Sequence, residues 1–309
     1  MVSRQVPVLD IGGTHVTAAL VDISEWRVVA GVVRRRALDA RGAADEIIST
    51  VVDAAGSLQP ADRSLWGVAI PGPFDYSRGV ATFHGVGKFD SLRGVDLGEV
   101  LQRSIAGRTG SVHFVNDAEA FAIGEWVAGQ ANGHHRVIGV TVGTGIGSAF
   151  LVEGVAQHRG AGIPPQGRLD LLEIAGRPLE DTVSRRAIRA RYAELAGDQA
   201  VGSPDVKDIA TRARTGDVLA RRAFDEPLQA LGRVLAPIAM DFGASIIVVG
   251  GSIALAWDVI EPPLLSGMDQ TWPPWSNSCG VAAAQRIEEA ALLGAAWHAA
   301  HRAASHPQS

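Results

Sequence analysis

Three short glycine-bearing stretches and one Asn-Asp pair carry most of the chemistry legible in this 309-residue chain. The first is Asp10-Ile11-Gly12-Gly13-Thr14, set between the apolar runs Val6–Leu9 and Val16–Val21. Two glycines strip a hairpin of side chains, so its backbone amides and the threonine hydroxyl can meet phosphate oxygens. Asp10, at the strand end, is placed to hold a hydrated Mg2+ accompanying that phosphate. An ordinary glycine hairpin would use the same residues, so a companion motif must decide. Val142-Gly143-Thr144-Gly145-Ile146-Gly147 is that companion, again between strand-like runs, Arg136–Val142 and Ser148–Val152. It is not a dinucleotide fingerprint, because a strand follows where a helix N-terminus is needed, and it lacks the Lys-Ser/Thr of a P-loop. A third stretch, Gly250-Gly251-Ser252 after Val248-Val249, would let an adenine or ribose lie flat on the backbone.

Asn116-Asp117 follows the run Ser111–Val115 and precedes a helical stretch. Strand ends of this kind are where open α/β sheets place chemistry. Transfer of a phosphoryl group to an alcohol needs a base for the hydroxyl proton, and Asp117 is the candidate. Asn or Asp before a helix also serves as a cap, a purely structural use of the same pair.

Elements must bring these stretches together. Val6–Leu9, Val16–Val21 and Arg27–Val33 read as an antiparallel meander, Ala43–Ala55 as a helix and Leu65–Ile70 as a strand ending at Pro71-Gly72-Pro73. A helix is expected in the second half of Ser91–Ala106, a strand at Ser111–Val115 and a helix at Ala118–Ala128. After the second hairpin come helices at Ser184–Leu195, Val206–Arg214 and Val218–Phe242, a strand at Ser245–Val249, and a last helix at Ile287–Arg302. Two glycine hairpins, each opening a half, predict a duplicated α/β protein with a cleft between the halves. The expected domains are 1–117, joined by helix 287–302, and 118–286, with a hinge near Asp117–Gly133.

Composition narrows the class. Hydrophobic residues make up 47% and charged residues 20%, and the net charge of −5 leaves no footprint for nucleic acid. Arg34-Arg35-Arg36 reads as a solvated strand end. The single cysteine, Cys279, excludes an internal disulfide and a multi-thiolate zinc site. No leader pattern and no apolar run of spanning length is seen, so a cytoplasmic protein without membrane contact is expected.

The order and spacing of the three motifs, with Gly67-Val-Ala-Ile-Pro-Gly-Pro73 and Val115-Asn116-Asp117-Ala-Glu-Ala120 between the first two, resembles the ROK family of sugar kinases over nearly the whole chain. That resemblance implies the actin-like ATPase, ribonuclease H-like, fold. It implies ATP and Mg2+ as cofactors, with Asp10, Gly12, Gly13, Thr14, Gly143, Thr144, Gly145, Gly250, Gly251 and Ser252 on the nucleotide. Asp117 would take the proton of a sugar 6-hydroxyl and Asn116 would bind a neighbouring hydroxyl. Gly72 and His84 would lie at the sugar, Lys88 on the surface beside it, and a homodimer is implied.

One region departs from the family. Its members carry Glu-x-Gly-His at the sugar, the histidine also ligating zinc with three cysteines. Here Ile163 and Gln166 stand at the Glu and His positions in GAGIPPQGRLDLLEIAGRPLED, Gly160 to Asp181, without a cysteine. No zinc is implied. An isoleucine leaves a glucose hydroxyl without a partner. Gln166 and Glu180 are the remaining candidates to hold hydroxyls or an ammonium, so the expected acceptor is a hexose analogue, an amino sugar such as kanosamine or a cyclitol. A plain ATP-dependent glucokinase and a catalytically silent sugar sensor are the alternatives, and polyphosphate would use similar loops as donor. A repressor of the family would need a helix-turn-helix ahead of Asp10, where only nine residues stand, so no DNA binding is expected. Trp272 and Trp275 read as an exposed loop.

Overall fold

The computed structural model describes residues 5–61, 64–105, 109–197, 204–271, 275 and 278–305. The chain divides into two compact units, 1–129 with 288–309, and 130–287.

The first unit contains β1 (Gln5–Ile11), β2 (His15–Asp22), β3 (Arg27–Val28), β4 (Arg34–Ala37), α1 (Ala44–Gly56), β5 (Ser64–Ile70), β6 (Phe74–Asp75), β7 (Val80–Ala81), α2 (Leu97–Ser104), β8 (Thr109–Asn116) and α3 (Asp117–Ala128). Its main sheet runs β3-β2-β1-β5-β8, with β4 also on β2. β1 and β2 are antiparallel, while β1, β5 and β8 are parallel neighbours. Alternation sets the faces. Leu9, Ile11, Val16, Ala18 and Leu20 share a core with Ile47, Val51, Ala54 and Ala55 of α1. The acidic Asp45 and Glu46 open α1, where they suit the helix dipole.

The second unit contains β9 (Arg136–Val142), β10 (Ile146–Val152), β11 (Val155–Ala156), β12 (Glu173–Ile174), β13 (Arg177–Pro178), α4 (Leu179–Thr182), α5 (Arg185–Ala196), α6 (Val206–Arg214), α7 (Val218–Phe242), β14 (Ile246–Gly250), α8 (Trp257–Thr271) and β15 (Gly280–Ala283). Its sheet runs β11-β10-β9-β14-β15, with β9 and β10 antiparallel and β9, β14 and β15 parallel. The second sheet thus repeats the plan of the first: a hairpin whose first strand continues into a parallel trio. α9 (Ala290–Ser305) returns to the first unit.

Several expectations change. The strand expected at Arg27–Val33 shrinks to the two residues of β3, and the arginine run forms β4 instead. The first unit extends past Asp117 to Gly129 because α3 packs on α9 with almost no space between backbones. A Cβ on Gly124 would stand 1.9 Å from the Ala290 carbonyl oxygen, and one on Gly294 1.8 Å from that of Ala120. Only glycine permits this approach. The last helix starts at Ala290, not Ile287. α8 and β15 were not anticipated. Trp272 lies outside the described residues. Trp275 is buried, with Nε1 donating to Asp269 at 2.7 Å, so it belongs to the core of the second unit and not to an exposed loop. Among the described residues no helix is long and apolar enough to cross a membrane.

Candidate active site

In the first unit, strand pairing does the assembling. Asp10 pairs with Ala69 on β5, and Ala69 with Val115 on β8, so Asp10 and the Asn116-Asp117 pair end parallel strands that flank β5. Two strand spacings separate them, about 10 Å across the sheet. Asn116 caps α3: its Oδ1 accepts from the amides of Ala118 at 3.0 Å and Glu119 at 3.3 Å. Its Nδ2 donates to the Tyr76 hydroxyl at 3.0 Å. Capping therefore consumes the acceptor of Asn116, and the amide group faces Tyr76 and the Asp117 carboxyl. Asp117 Oδ1 accepts from the Ala118 amide at 2.9 Å. The Asn116 side chain also hydrogen-bonds this carboxyl.

Burial dominates the electrostatics here. It raises the Asp117 carboxyl, and the positive charge of Lys88 works against the rise. Asp10 is raised to about 7, first by burial, then by the negative charge of Asp117, with Arg35 opposing. Two carboxyls held above their usual range at the ends of strands flanking β5 suit a proton acceptor and a cation site at one edge of the sheet.

The hairpin between β1 and β2 is tied at its base by the Gly12 amide donating to the His15 carbonyl at 2.9 Å. The segment after β4 fastens its outer side, with Leu38 donating to Thr14 and Ala40 to Gly13. Those bonds use the carbonyls. The amides of Gly13 and Thr14 find no acceptor among the described residues, and a Cβ on Gly13 would meet nothing within 4 Å. Open amides above a carboxylate fit an anion with its cation: phosphate on Gly13 and Thr14, Mg2+ through water on Asp10. Gly72 sits in the turn after β5, where a Cβ would stand 3.2 Å from the Tyr76 hydroxyl. His84 is exposed, its Nδ1 3.3 Å from Arg93 Nη1. Lys88 lies on the same exposed loop, which Asp90 pins by accepting from the amides of Val86 and Gly87.

In the second unit, Gly143-Thr144-Gly145 turns between β9 and β10, the Gly143 amide donating to Gly145 at 2.9 Å. Glu180, on α4, reaches this turn. Its Oε2 accepts from the Ile146 amide at 3.2 Å and stands 2.2 Å from where a Gly145 Cβ would be. The carboxylate expected to hold an acceptor hydroxyl or ammonium thus has a backbone partner in the hairpin. Gly250 ends β14 beside Thr141 of β9, and Ser252 Oγ lies 3.9 Å from a Cβ position on Gly143. Gly250, Gly251 and Ser252 therefore flank the second hairpin. Gln166 is exposed with a left-handed backbone, φ 59°, and Ile163 packs against the core of the unit.

Sequence reasoning missed two residues of the first site. Tyr76 bonds Asn116 from 40 positions away, with nothing local to announce it. Arg35 reaches His15, its Nη2 3.0 Å from Nε2 and 3.2 Å from Nδ1, and the same ring lies 3.0 Å from Thr14 Oγ1. The alternating exposure of a hairpin edge would have been the signal, but all four residues of β4 are exposed.

Comparison with known proteins gives one answer. The profile of the ROK family matches residues 7–302. A glucokinase of Thermotoga maritima is 29% identical over 310 residues, covering 93% of this chain and 95% of the relative. An N-acetylgalactosamine kinase of Shewanella sp. is 26% identical over 93% of this chain and 95% of its own. Among solved structures, a ROK family glucokinase from Streptomyces griseus in complex with glucose and AMPPNP superposes with a TM-score of 0.78 at 25% identity, covering 96% of this chain and 99% of that one. The doubled hairpin-and-trio plan is thus that of the actin-like ATPase fold.

Proposed function

This chain belongs to the ROK family and is a sugar kinase, a phosphotransferase with an alcohol acceptor; we propose that it moves the terminal phosphoryl group of ATP to the primary hydroxyl of an uncharged hexose analogue, a hydroxymethyl cyclitol before a free amino sugar. The observation that carries the mechanism is Asp117, a buried carboxyl raised by that burial, at the end of a parallel strand one strand removed from that of Asp10.

Asp117 accepts the hydroxyl proton as the oxygen attacks, and its bond from the Ala118 amide orients the carboxylate. Asn116 orients a neighbouring hydroxyl through its side-chain amide. The open amides of Gly13 and Thr14 hold phosphate oxygens of the donor, and Gly143 to Gly145 with Gly250 to Ser252 take the remaining phosphates and the nucleoside. Asp10 would hold Mg2+ through water, and the ion would supply positive charge to the transferring group.

The acceptor class rests on three residues. Ile163 offers no hydrogen bond, Glu180 is bonded to the hairpin backbone, and Lys88 places a positive charge near Asp117 that disfavours an ammonium beside the reacting hydroxyl. The likeness to the Thermotoga maritima glucokinase favours a second reading, plain glucokinase. A coupled ADP-release assay with MgATP over glucose, N-acetylated hexosamines, 3-amino-3-deoxyglucose and valienol-like cyclitols separates them. Turnover greatest on a cyclitol supports the first reading; glucose as best acceptor supports the second. On the best acceptor, Asp117→Asn is expected to lower kcat by about 10²- to 10⁴-fold, the usual worth of a positioned base. A near wild-type rate would remove Asp117 from the mechanism.

A further inference from the structure

We infer that Arg35 and His15 form a relay that presets Thr14 as a phosphate donor and adds a guanidinium to the first phosphate hairpin, an inference that rests on the nucleotide reading above. The geometry begins with register. Thr17 of β2 pairs with Asp10 on one side and with Arg35 of β4 on the other. Directly paired residues share a face of a sheet, as do positions two apart on one strand. Asp10, Thr17, Arg35 and His15 therefore lie on one face at the hairpin end, while Ile11 and Val16 face the α1 core.

The relay uses the tautomer with the ring proton on Nδ1. A guanidinium only donates, so the ring nitrogen it approaches must accept. Arg35 Nη2 is nearer Nε2, at 3.0 Å, than Nδ1, at 3.2 Å. On Nδ1 the ring proton faces Thr14 Oγ1, 3.0 Å away. Burial and the charge of Arg35 both lower the imidazole pKa, so the ring stays neutral. A hydroxyl that accepts from Nδ1–H turns its own hydrogen away from the ring. Thr14 is then ready as a donor.

Arg35 makes no ion pair with a carboxylate among the described residues, whereas Arg27 pairs with Glu25 on the neighbouring edge. Its remaining donors form a planar fork of the kind that grips phosphate oxygens. An arginine with no carboxylate ion pair among the described residues, one imidazole away from the hairpin threonine and on the face of Asp10, suits a polyanion better than a solvated strand edge.

The test measures binding of Mg2+·AMPPNP and of adenosine to the full-length protein by calorimetry, alongside KM for MgATP and for the best acceptor. Arg35→Ala is expected to weaken Mg2+·AMPPNP at least tenfold and raise KM for MgATP similarly, with adenosine binding and the acceptor KM unchanged. Arg35→Lys restores charge without the fork and should recover only part of the loss. His15→Asn places an amide near the Nδ1 position, keeps donation to Thr14 and should lose less than His15→Ala. Unchanged AMPPNP affinity in Arg35→Ala, full recovery by lysine, or a proportional loss of adenosine binding would each overturn the relay. Failure of the wild-type protein to bind Mg2+·AMPPNP would instead strike the nucleotide reading itself.

Discussion

Gly145→Ala isolates one contact in the second hairpin. The new methyl would begin 2.2 Å from Glu180 Oε2 and 2.9 Å from its Cδ. Ordinary carbon contacts lie near 3.5 Å, so the carboxylate must withdraw by about 1 Å. The backbone at Gly145 has no left-handed φ, so alanine carries no conformational penalty of its own. The bond at risk is the one from the Ile146 amide, 3.2 Å in length, beneath a buried side chain. A hydrogen bond to a charged acceptor contributes about 1.5–3 kcal/mol, and this one is part-buried. Gly145→Ala should therefore destabilise the protein by about 2 kcal/mol and loosen the hairpin. Glu180→Ala forfeits the same bond and should cost about the same. Because both changes break one contact, the double variant should cost about 2 kcal/mol, far short of the sum. Urea unfolding followed by tryptophan fluorescence gives the cycle, and KM for MgATP should rise with each single change. Additive costs, or a Glu180→Ala variant as stable as wild type, would refute the assignment of Glu180 to the hairpin.

Gly294→Ala places a Cβ 1.8 Å from the Ala120 carbonyl oxygen; α3 and α9 must part, at a cost of about 3 kcal/mol in thermal unfolding. Gly56→Ala, where a Cβ meets nothing within 4 Å, should be neutral or stabilise by about 0.5 kcal/mol. Lys88→Met removes the charge that opposes the raised Asp117 carboxyl; the acid limb of the kcat/KM profile should move to higher pH, because the base then keeps its proton further up the scale. His298 is lowered to about 4, by burial first and then by Arg302 and His113. The unfolded imidazole binds its proton near 6.5, so the unfolded state holds more protons between those values and stability falls as pH drops through that window. After a discount for partial exposure the loss is about 2 kcal/mol, and urea midpoints at pH 7 and pH 5 should converge in His298→Asn.

Much of the fold was legible because its decisive turns are written in glycine, whose spacing exposed both hairpins and the late strand end. Long helices read well for the same local reason: Val218–Phe242 was bounded correctly, although Pro227 and Pro237 lie inside it. α8 was invisible since Pro262 and Pro263 sit in its middle and read as a breaker. β4 was invisible since RRRA carries no apolar alternation; pairing with β2 makes it a strand. In the site, the strand-end residues were found by type and position. Tyr76, Arg35 and the hairpin partner of Glu180 were not, because each acts through a neighbour distant in sequence.

The placement of α9 has a consequence for how the chain is made. Residues 130–287 form a continuous unit that is complete before α9 is synthesised, whereas α9 packs on β1, β5 and β8, which leave the ribosome more than 170 residues ahead of it. During translation the apolar sheet face that α9 covers stays bare while the whole second unit emerges. The earliest part of the chain is therefore the last to finish folding, and its glycine-lined seam with α3 closes only when the final helix arrives.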